Sequence, residues 1–415
     1  YGSLGNQKTV GYYDYLQLIN TGAVMNYAFG DTTKGDYAYE SAPNSTDLTW
    51  ETVITKNIGL DLGFLNNRLN VSFDAYIRDT KDMLMAGKTL PGVYGASSPR
   101  MNVADLRTKG WEASITWGDS FTLASKPFNY RIMAGIGDNT SKVTKYDNPN
   151  RTLTDPYEGQ QLGEIWGYVV DGYFKTDEEA RNYKVDQSFV NQMINASALD
   201  NGLHAGDLKF VDLDGNNKIE QTTSANDRKD MKVIGNSLPR YNYNFGISAD
   251  WYGIDFSVLF QGIGKQNWYP GAETSMFWGP YSRPYASFIP SDFMSQVWSE
   301  ENTDAYFPRP RGYVALGSNR ELAVVNTKYL QNLAYCRLKN LSIGYTLPDK
   351  WLSKIGFEKI RVYFSGENLL TFTKLHSDYI DPEQASASNS WKTSKSDANI
   401  YPWAKTYSFG VDITF

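Results

Sequence analysis

The last nine residues, Tyr407-Ser-Phe-Gly-Val-Asp-Ile-Thr-Phe415, alternate without a break. Tyr407, Phe409, Val411, Ile413 and Phe415 fall on one face, and Ser408, Gly410, Asp412 and Thr414 on the other. Strict period-two alternation predicts a strand with one apolar and one polar face. A soluble chain usually ends in a polar, frayed tail. An aromatic end suits a membrane barrel, whose last strand closes the wall with its apolar side in lipid. A terminal strand of a soluble sandwich would satisfy the same pattern, so this stretch alone leaves both open.

The pattern recurs along the chain. Ile58, Leu60, Leu62 and Phe64 alternate with Gly59, Asp61 and Gly63. Asn66-Asn67 then predicts a tight turn into Leu69, Val71, Phe73, Ala75 and Ile77. The polar face of that hairpin carries Asp74 and Arg78, which a dry core could not hold unpaired but a wet lumen can. Trp111–Trp117, Tyr241–Trp251, Ile254–Phe260, Leu341–Leu347 and Ile360–Phe364 repeat the alternation, with Tyr252-Gly253 as another turn. Gly22–Phe29 and Arg131–Ile136 are weaker strand candidates, and Asp31–Ser45 reads as a loop. The total is about a dozen strands. Short links (Asn66-Asn67, Tyr252-Gly253, Pro348–Lys359) alternate with long ones near 175–230, 265–335 and 373–404. Bacterial outer-membrane barrels have this asymmetry of short periplasmic turns and long extracellular loops, whereas soluble domains rarely carry so much loop.

Composition agrees. The chain has 415 residues, a net charge of -6 and a pI near 5.2, which argues against a nucleic-acid partner. It has no apolar run near the ~18 residues of a membrane helix, but a barrel strand needs only about ten alternating residues. A mean hydropathy of -0.48 suits a soluble protein and equally a barrel with a wet lumen. The 30 Tyr and 11 Trp suit barrel girdles or sugar-binding surfaces. The single cysteine, Cys336, reads as a small packed residue. The sequence starts at Tyr1 without Met or a signal peptide, so the expectation is a mature product or the C-terminal part of something longer.

Two stretches carry candidate sites. Asp212-Leu-Asp214-Gly-Asn216-Asn-Lys218 places Asp212, Asp214, Asn216 and the Lys218 carbonyl at positions one, three, five and seven of a calcium-type loop. Alternate oxygens in a tight turn converge on one point, as Ca2+ at 212–220 would require. Asn217 stands where that pattern has Gly, and Thr223 where it has Glu; Asp227 is a late substitute. The other reading is a turn stabilised by its own Asx side chains. The second stretch, Lys265–Tyr313, is dense in aromatics, including Phe277, Tyr285, Phe288, Trp298, Tyr306 and Phe307. Most are expected to pack the loop, while Trp268, Tyr269, Trp278 and Tyr281 are the candidates for substrate contact. Catalysis has little support: His204 and His376 are the only histidines and neither has triad or metal-ligand spacing.

Taken together, the motifs resemble the SusC/RagA family of TonB-dependent outer-membrane transporters of Bacteroidetes. The resemblance rests on Asp47-Leu-Thr-Trp50-Glu51-Thr, the run Asn57–Leu69, Lys109-Gly-Trp-Glu112, Gly206–Ile219, Val233-Ile-Gly-Asn236 with Pro239, Arg337–Pro348, Ser365–Thr373 and Asp381-Pro-Glu383. It implies an all-β transmembrane antiparallel barrel of about 22 strands, with residues 1–415 as its C-terminal part and the plug and early strands elsewhere. It also implies localisation in the outer membrane, contact with its lipid, coupling to TonB and a SusD-like surface lipoprotein as lid. The substrates it implies are oligosaccharides, or oligopeptides. Two rivals are a self-contained passive porin of about a dozen strands and a soluble glycan-binding or hydrolytic β-protein.

Overall fold

Alternation builds the strands, and the strands build one large sheet. The computed structural model describes residues 1–6, 15–22, 37–41, 43–45, 48–87, 91–95, 98–191, 202–282, 289–310, 316–317, 320–352, 356–385, 395–396 and 401–415. Most of the expected strand at Gly22–Phe29, residues 31–36 and 42 of the expected loop, and Tyr285, Phe288 and Tyr313 lie outside the described residues, while Tyr37–Glu40, expected as loop, form a strand paired with Ile19–Gly22. In chain order the strands are β1 (Gly2–Asn6), β2 (Ile19–Gly22), β3 (Tyr37–Glu40), β4 (Glu51–Phe64), β5 (Leu69–Ala86), β6 (Arg100–Leu123) and β7 (Lys126–Lys145). Then come β8 (Glu164–Tyr168), β9 (Val170–Tyr173), β10 (Leu208–Phe210), β11 (Met231–Asn236), β12 (Arg240–Trp251) and β13 (Ile254–Lys265). The last are β14 (Asn267–Pro270), β15 (Gln331–Asn332), β16 (Tyr335–Thr346), β17 (Lys359–Thr373), β18 (Lys395–Ser396) and β19 (Thr406–Thr414). Ten of them hydrogen-bond in the order β1-β4-β5-β6-β7-β12-β13-β16-β17-β19. That sheet is open among the described residues, with β1 and β19 at its edges. Unpaired edges of this kind in lipid would leave backbone groups unsatisfied.

The chain divides into two compact units. The first comprises Tyr1–Ile58, Ala75–Gly110 and Thr140–Gln161. Here β1 pairs antiparallel with β4, Gly2 opposite Thr55 and Asn6 opposite Glu51. Glu51 is buried, and it accepts hydrogen bonds from the Leu84 N–H (3.0 Å) and from Asn6 Nδ2 (3.1 Å). Lys81 pairs with Asp105 at 2.6 Å and Arg107 with Asp79 at 2.6 Å. These cross-strand charges let β5 and β6 run on to 18 and 24 residues, past the ~9–11 that cross a bilayer.

The second unit comprises Gly59–Asp74, Trp111–Asn139 and Leu162–Phe415. Its registers sort the two faces of the wall. Tyr130, Ala249, Phe256, Ile343, Phe364 and Phe409 are successive partners across β7, β12, β13, β16, β17 and β19. A second such row is Phe128, Trp251, Ile254, Tyr345, Val362 and Val411. One residue out of step, the partners are Arg131, Ser248, Ser257, Ser342, Ser365 and Ser408. The apolar rows stand open: Phe409 is 83% exposed and Ile343 45%. An uncovered apolar band this wide does not survive in water, and the polar row behind it suits a wet lumen.

Turns lie at one end of the wall. Tyr252-Gly253 turns with φ of 48° and 84°, the left-handed pair that a two-residue hairpin requires. Leu65–Arg68 is longer than the expected two-residue turn, with Leu65, Asn66 and Asn67 all at positive φ. The β6–β7 hairpin turns at Ala124-Ser125, with φ of 51° and 61°. Neither residue is the Asn, Asp or Gly that usually takes such a left-handed pair. The link from β16 to β17 carries a short helix (Asp349–Leu352). At the other end the long connections do not stay open loops. They pack into a core around Phe210, Trp268, Trp278, Phe307 and Tyr329.

Candidate functional site

The aromatic stretch forms the floor of this loop assembly. β13 ends at Lys265 and β14 begins at Asn267, so Trp268 and Tyr269 enter the loops on an extended backbone, Trp268 opposite Gln331. The Tyr269 hydroxyl donates to the Leu322 carbonyl at 2.8 Å and accepts from Asn326 Nδ2 at 2.8 Å. Trp278 Nε1 donates to the Gly271 carbonyl at 2.9 Å, and the Tyr281 hydroxyl donates to the Pro308 carbonyl. Phe277 meets Trp278 edge-on at 4.8 Å, and Tyr329 meets it at 5.2 Å. Trp268, Tyr269, Trp278 and Tyr281 are all at most 1% exposed. They present no ring face to a solute in this structure. The hydrogen-bonding tips of Tyr269, Trp278 and Tyr281 are spent on backbone carbonyls, as buried Trp and Tyr require. The aromatics expected to touch substrate thus sit beneath the surface.

The Asp-rich loop folds on its own side chains. Asp212 accepts from the Gly215 and Asn217 N–H groups at 2.7 Å each. Asp214 accepts from the Asn216 N–H at 3.1 Å, and Asn216 Oδ1 from the Lys218 N–H at 2.8 Å. Asn217 takes the reversal at φ 64°, a left-handed position that Asn tolerates in place of Gly. Sequence spacing missed Asp230, which is fully buried and receives the Leu213 and Glu220 N–H groups at 2.9 and 2.7 Å. Oxygens of Asp212, Asp214 and Asp230 lie within 4.8 Å of one another. Burial, then the charges of Asp214 and Asp212, hold the Asp230 carboxyl above its usual range. Three converging carboxylates fit a hard cation, although the loop already satisfies them with backbone donors.

A third cluster ties the loops to the wall. Arg337, on β16 and only 3% exposed in its side chain, donates to Asp381 and Glu383 at 2.6 Å each and to Thr371 at 3.0 Å. Lys339 adds a 2.7 Å contact to Glu383, and the Trp403 N–H reaches Asp381 at 3.2 Å. Both carboxylates come from the sequence motif Asp381-Pro-Glu383, but nothing in the sequence pairs them with Arg337. Nearby His376 stacks on Tyr306 at 3.5 Å, and its Nε2 meets Gln296 at 2.8 Å. Burial holds its imidazole below the ordinary value. No helix of the described residues is long and apolar enough to cross a membrane, which says nothing about a barrel.

Comparison with known proteins gives the same architecture. A profile described as "TonB dependent receptor-like, beta-barrel" matches residues 10–369. TonB-dependent receptor P3 of Formosa agariphila is 28% identical over the whole chain, which spans 39% of that protein's length. SusC of Bacteroides thetaiotaomicron is 24% identical over the whole chain, which spans 37% of it. A solved structure of the RagAB peptide importer in its "open-open" state superposes with a TM-score of 0.70 at 22% identity, over 100% of this chain and 39% of that one. The apolar rows of the wall, its serine-lined reverse and the profile match across most of the chain lead to one conclusion: the chain belongs to the TonB-dependent receptor-like β-barrel family of outer-membrane proteins.

Proposed function

We propose that this chain supplies wall and extracellular loops to an active importer. The imported solute is held between the loops and a SusD-like lipoprotein lid, and energy relayed by TonB releases it inward. The supporting observation is the pairing of a lipid-type wall with a folded loop core, joined at Arg337, Asp381 and Glu383. A rigid loop assembly anchored to the barrel is what a lid can close upon, whereas open loops would each carry an ordering cost. The remaining barrel and the plug complete the machine, as the fraction of SusC and its relatives that the chain spans suggests. Oligosaccharides are the favoured cargo. Oligopeptides are the second reading, favoured by the likeness in fold to the RagAB peptide importer. The buried Trp268, Tyr269, Trp278 and Tyr281 then act by holding the cargo-facing surface in place. The Asp-rich loop would brace that surface, with a calcium ion among Asp212, Asp214 and Asp230 as one means of doing so.

Uptake of labelled oligosaccharides and oligopeptides by cells carrying the full-length protein tests this. Accumulation should require both TonB and the lipoprotein. Uptake that persists without TonB would leave a passive pore instead.

A further inference from the structure

The two faces of the wall continue past its apolar residues. On β5 the face of Ala75 and Ile77 goes on as Asp79 and Lys81, and ends at Asp82, where φ is 54°. On β6 the face of Trp111 and Ala113 goes on, toward the start of the strand, as Lys109, Arg107 and Asp105. On β4 the residue two before Ile58 is Lys56. Tyr76 and Thr108 mark the opposite face: a side chain at Gly110 would meet the Tyr76 ring, and Thr108 bonds Ser141 at 2.7 Å. The charged residues therefore stand on the lipid side of these strands, not in the lumen.

Their height suits the rim of a bilayer. From the turn at Leu65–Arg68, β4 reaches back to Lys56 and β5 forward to Asp79 over the ~9–11 residues that cross a membrane. Ile58 and Ile77 are exposed, and the charges begin one step beyond them. Because short turns mark the periplasmic end of such barrels, this rim faces the outer leaflet.

The rim carries surplus positive charge. Asp79 takes Arg107 at 2.6 Å, and Asp105 takes Lys81 at 2.6 Å, so those four charges balance. Lys56 also bears on Asp79 from the neighbouring strand. Lys56 and Lys109 are exposed and have no ion pair among the described residues. β4 and β6 flank β5, so these two lysines hang from strands about 10 Å apart. Arg107 reaches Asp79 across that gap, with its side chain still 46% exposed.

We propose that Lys56 and Lys109, with Arg107 between them, bind the phosphate of an outer-leaflet lipid whose chains lie along the apolar band below. Basic groups at a membrane surface attract anionic headgroups in this way. The site rests on the membrane wall and does not depend on the uptake reading, which the transport assay tests separately.

The test uses the full-length protein in a neutral detergent. Native mass spectrometry measures retention of two lipids with the same acyl chains: phosphatidate, and phosphatidylcholine, whose phosphate is capped by choline. Phosphatidate should be retained about tenfold more strongly. Lys56→Gln with Lys109→Gln should remove that preference, and Lys56→Arg with Lys109→Arg should keep it. If the paired Gln variant fails to fold, each single Gln variant carries the test and should lose part of the preference. Lys126 opens β7 and Lys359 opens β17, at the turn end; their joint replacement by Gln should leave the preference unchanged. Millimolar inorganic phosphate should not displace the lipid, because it has no chains to lie on the wall. Four results would overturn the site: no preference for phosphatidate, a preference unchanged in the Gln variants, an equal loss in the turn-end control, or displacement by inorganic phosphate. The third would mean a general attraction to charge, and the last a soluble anion in place of a lipid.

Discussion

At the scale of single residues, the decisive groups are buried charges with several partners. Arg337 faces Asp381, Glu383 and Thr371 at once. Truncating it leaves Asp381 buried without a cation and Glu383 with Lys339 alone, and breaking such a buried pair costs about 3–5 kcal/mol. Arg337→Ala should therefore lower the unfolding midpoint of the loop assembly in denaturant while leaving the wall's heat resistance unchanged; an unaltered midpoint would remove Arg337 as an anchor. Asp230 makes the second case. Its folded pKa lies above the unfolded value, so the folded loop binds its proton more tightly. The stability that this contributes is present at low pH and declines as pH rises from near 4 through the folded value. Hydrogen exchange at Leu213 and Glu220, corrected for intrinsic rate, should show protection falling over that range. Asp230→Ala should abolish the trend and lower protection by about 1–3 kcal/mol, since both N–H groups lose their acceptor. Asp212 and Asp214 could be read from their spacing. Asp230 could not, because a loop closed by tertiary contact brings it in from outside the motif.

At the scale of elements, period-two alternation announced most of the wall. β12 and β19 stand where the pattern places them, since each keeps its apolar residues in step over its whole length; β13 keeps step from Ile254 to Val258 and loses it at Leu259, where its register with β16 shifts. β5 and β6 outrun the reading because their outer halves trade alternation for ion pairs such as Lys81–Asp105. The β6–β7 turn escaped because Ala124-Ser125 has none of the Asn, Asp or Gly that a two-residue turn with both φ positive favours. The two faces of β16 make opposite predictions at adjacent positions. Ile343→Arg puts a charge in the apolar row, at a cost of about 2–4 kcal/mol near the bilayer centre. Ser342→Arg places the same side chain on the serine row, at little cost. Folding titrations into lipid vesicles should separate the two, and equal losses would mean that the faces are misassigned.

At the scale of the whole molecule, the chain is a sheet that needs lipid on one side and a loop core that needs none. The first property was legible because alternation is a local pattern. The second was not, because nothing local tells whether the twelve aromatics of Lys265–Tyr313 pack on each other or meet a solute. Trp268 and Tyr269, at 0% exposure, are packed inside that core. The most direct measurement of the central claim is a spin-label scan of β16 and β19. Cys336 would first be replaced by Ser, and single cysteines then placed at residues 340–345 and 407–413. Labels at 341, 343, 345, 407, 409, 411 and 413 should be relaxed by oxygen dissolved in lipid, and labels between them by a water-soluble nickel complex. Equal access of the nickel complex to both sets would contradict a membrane wall.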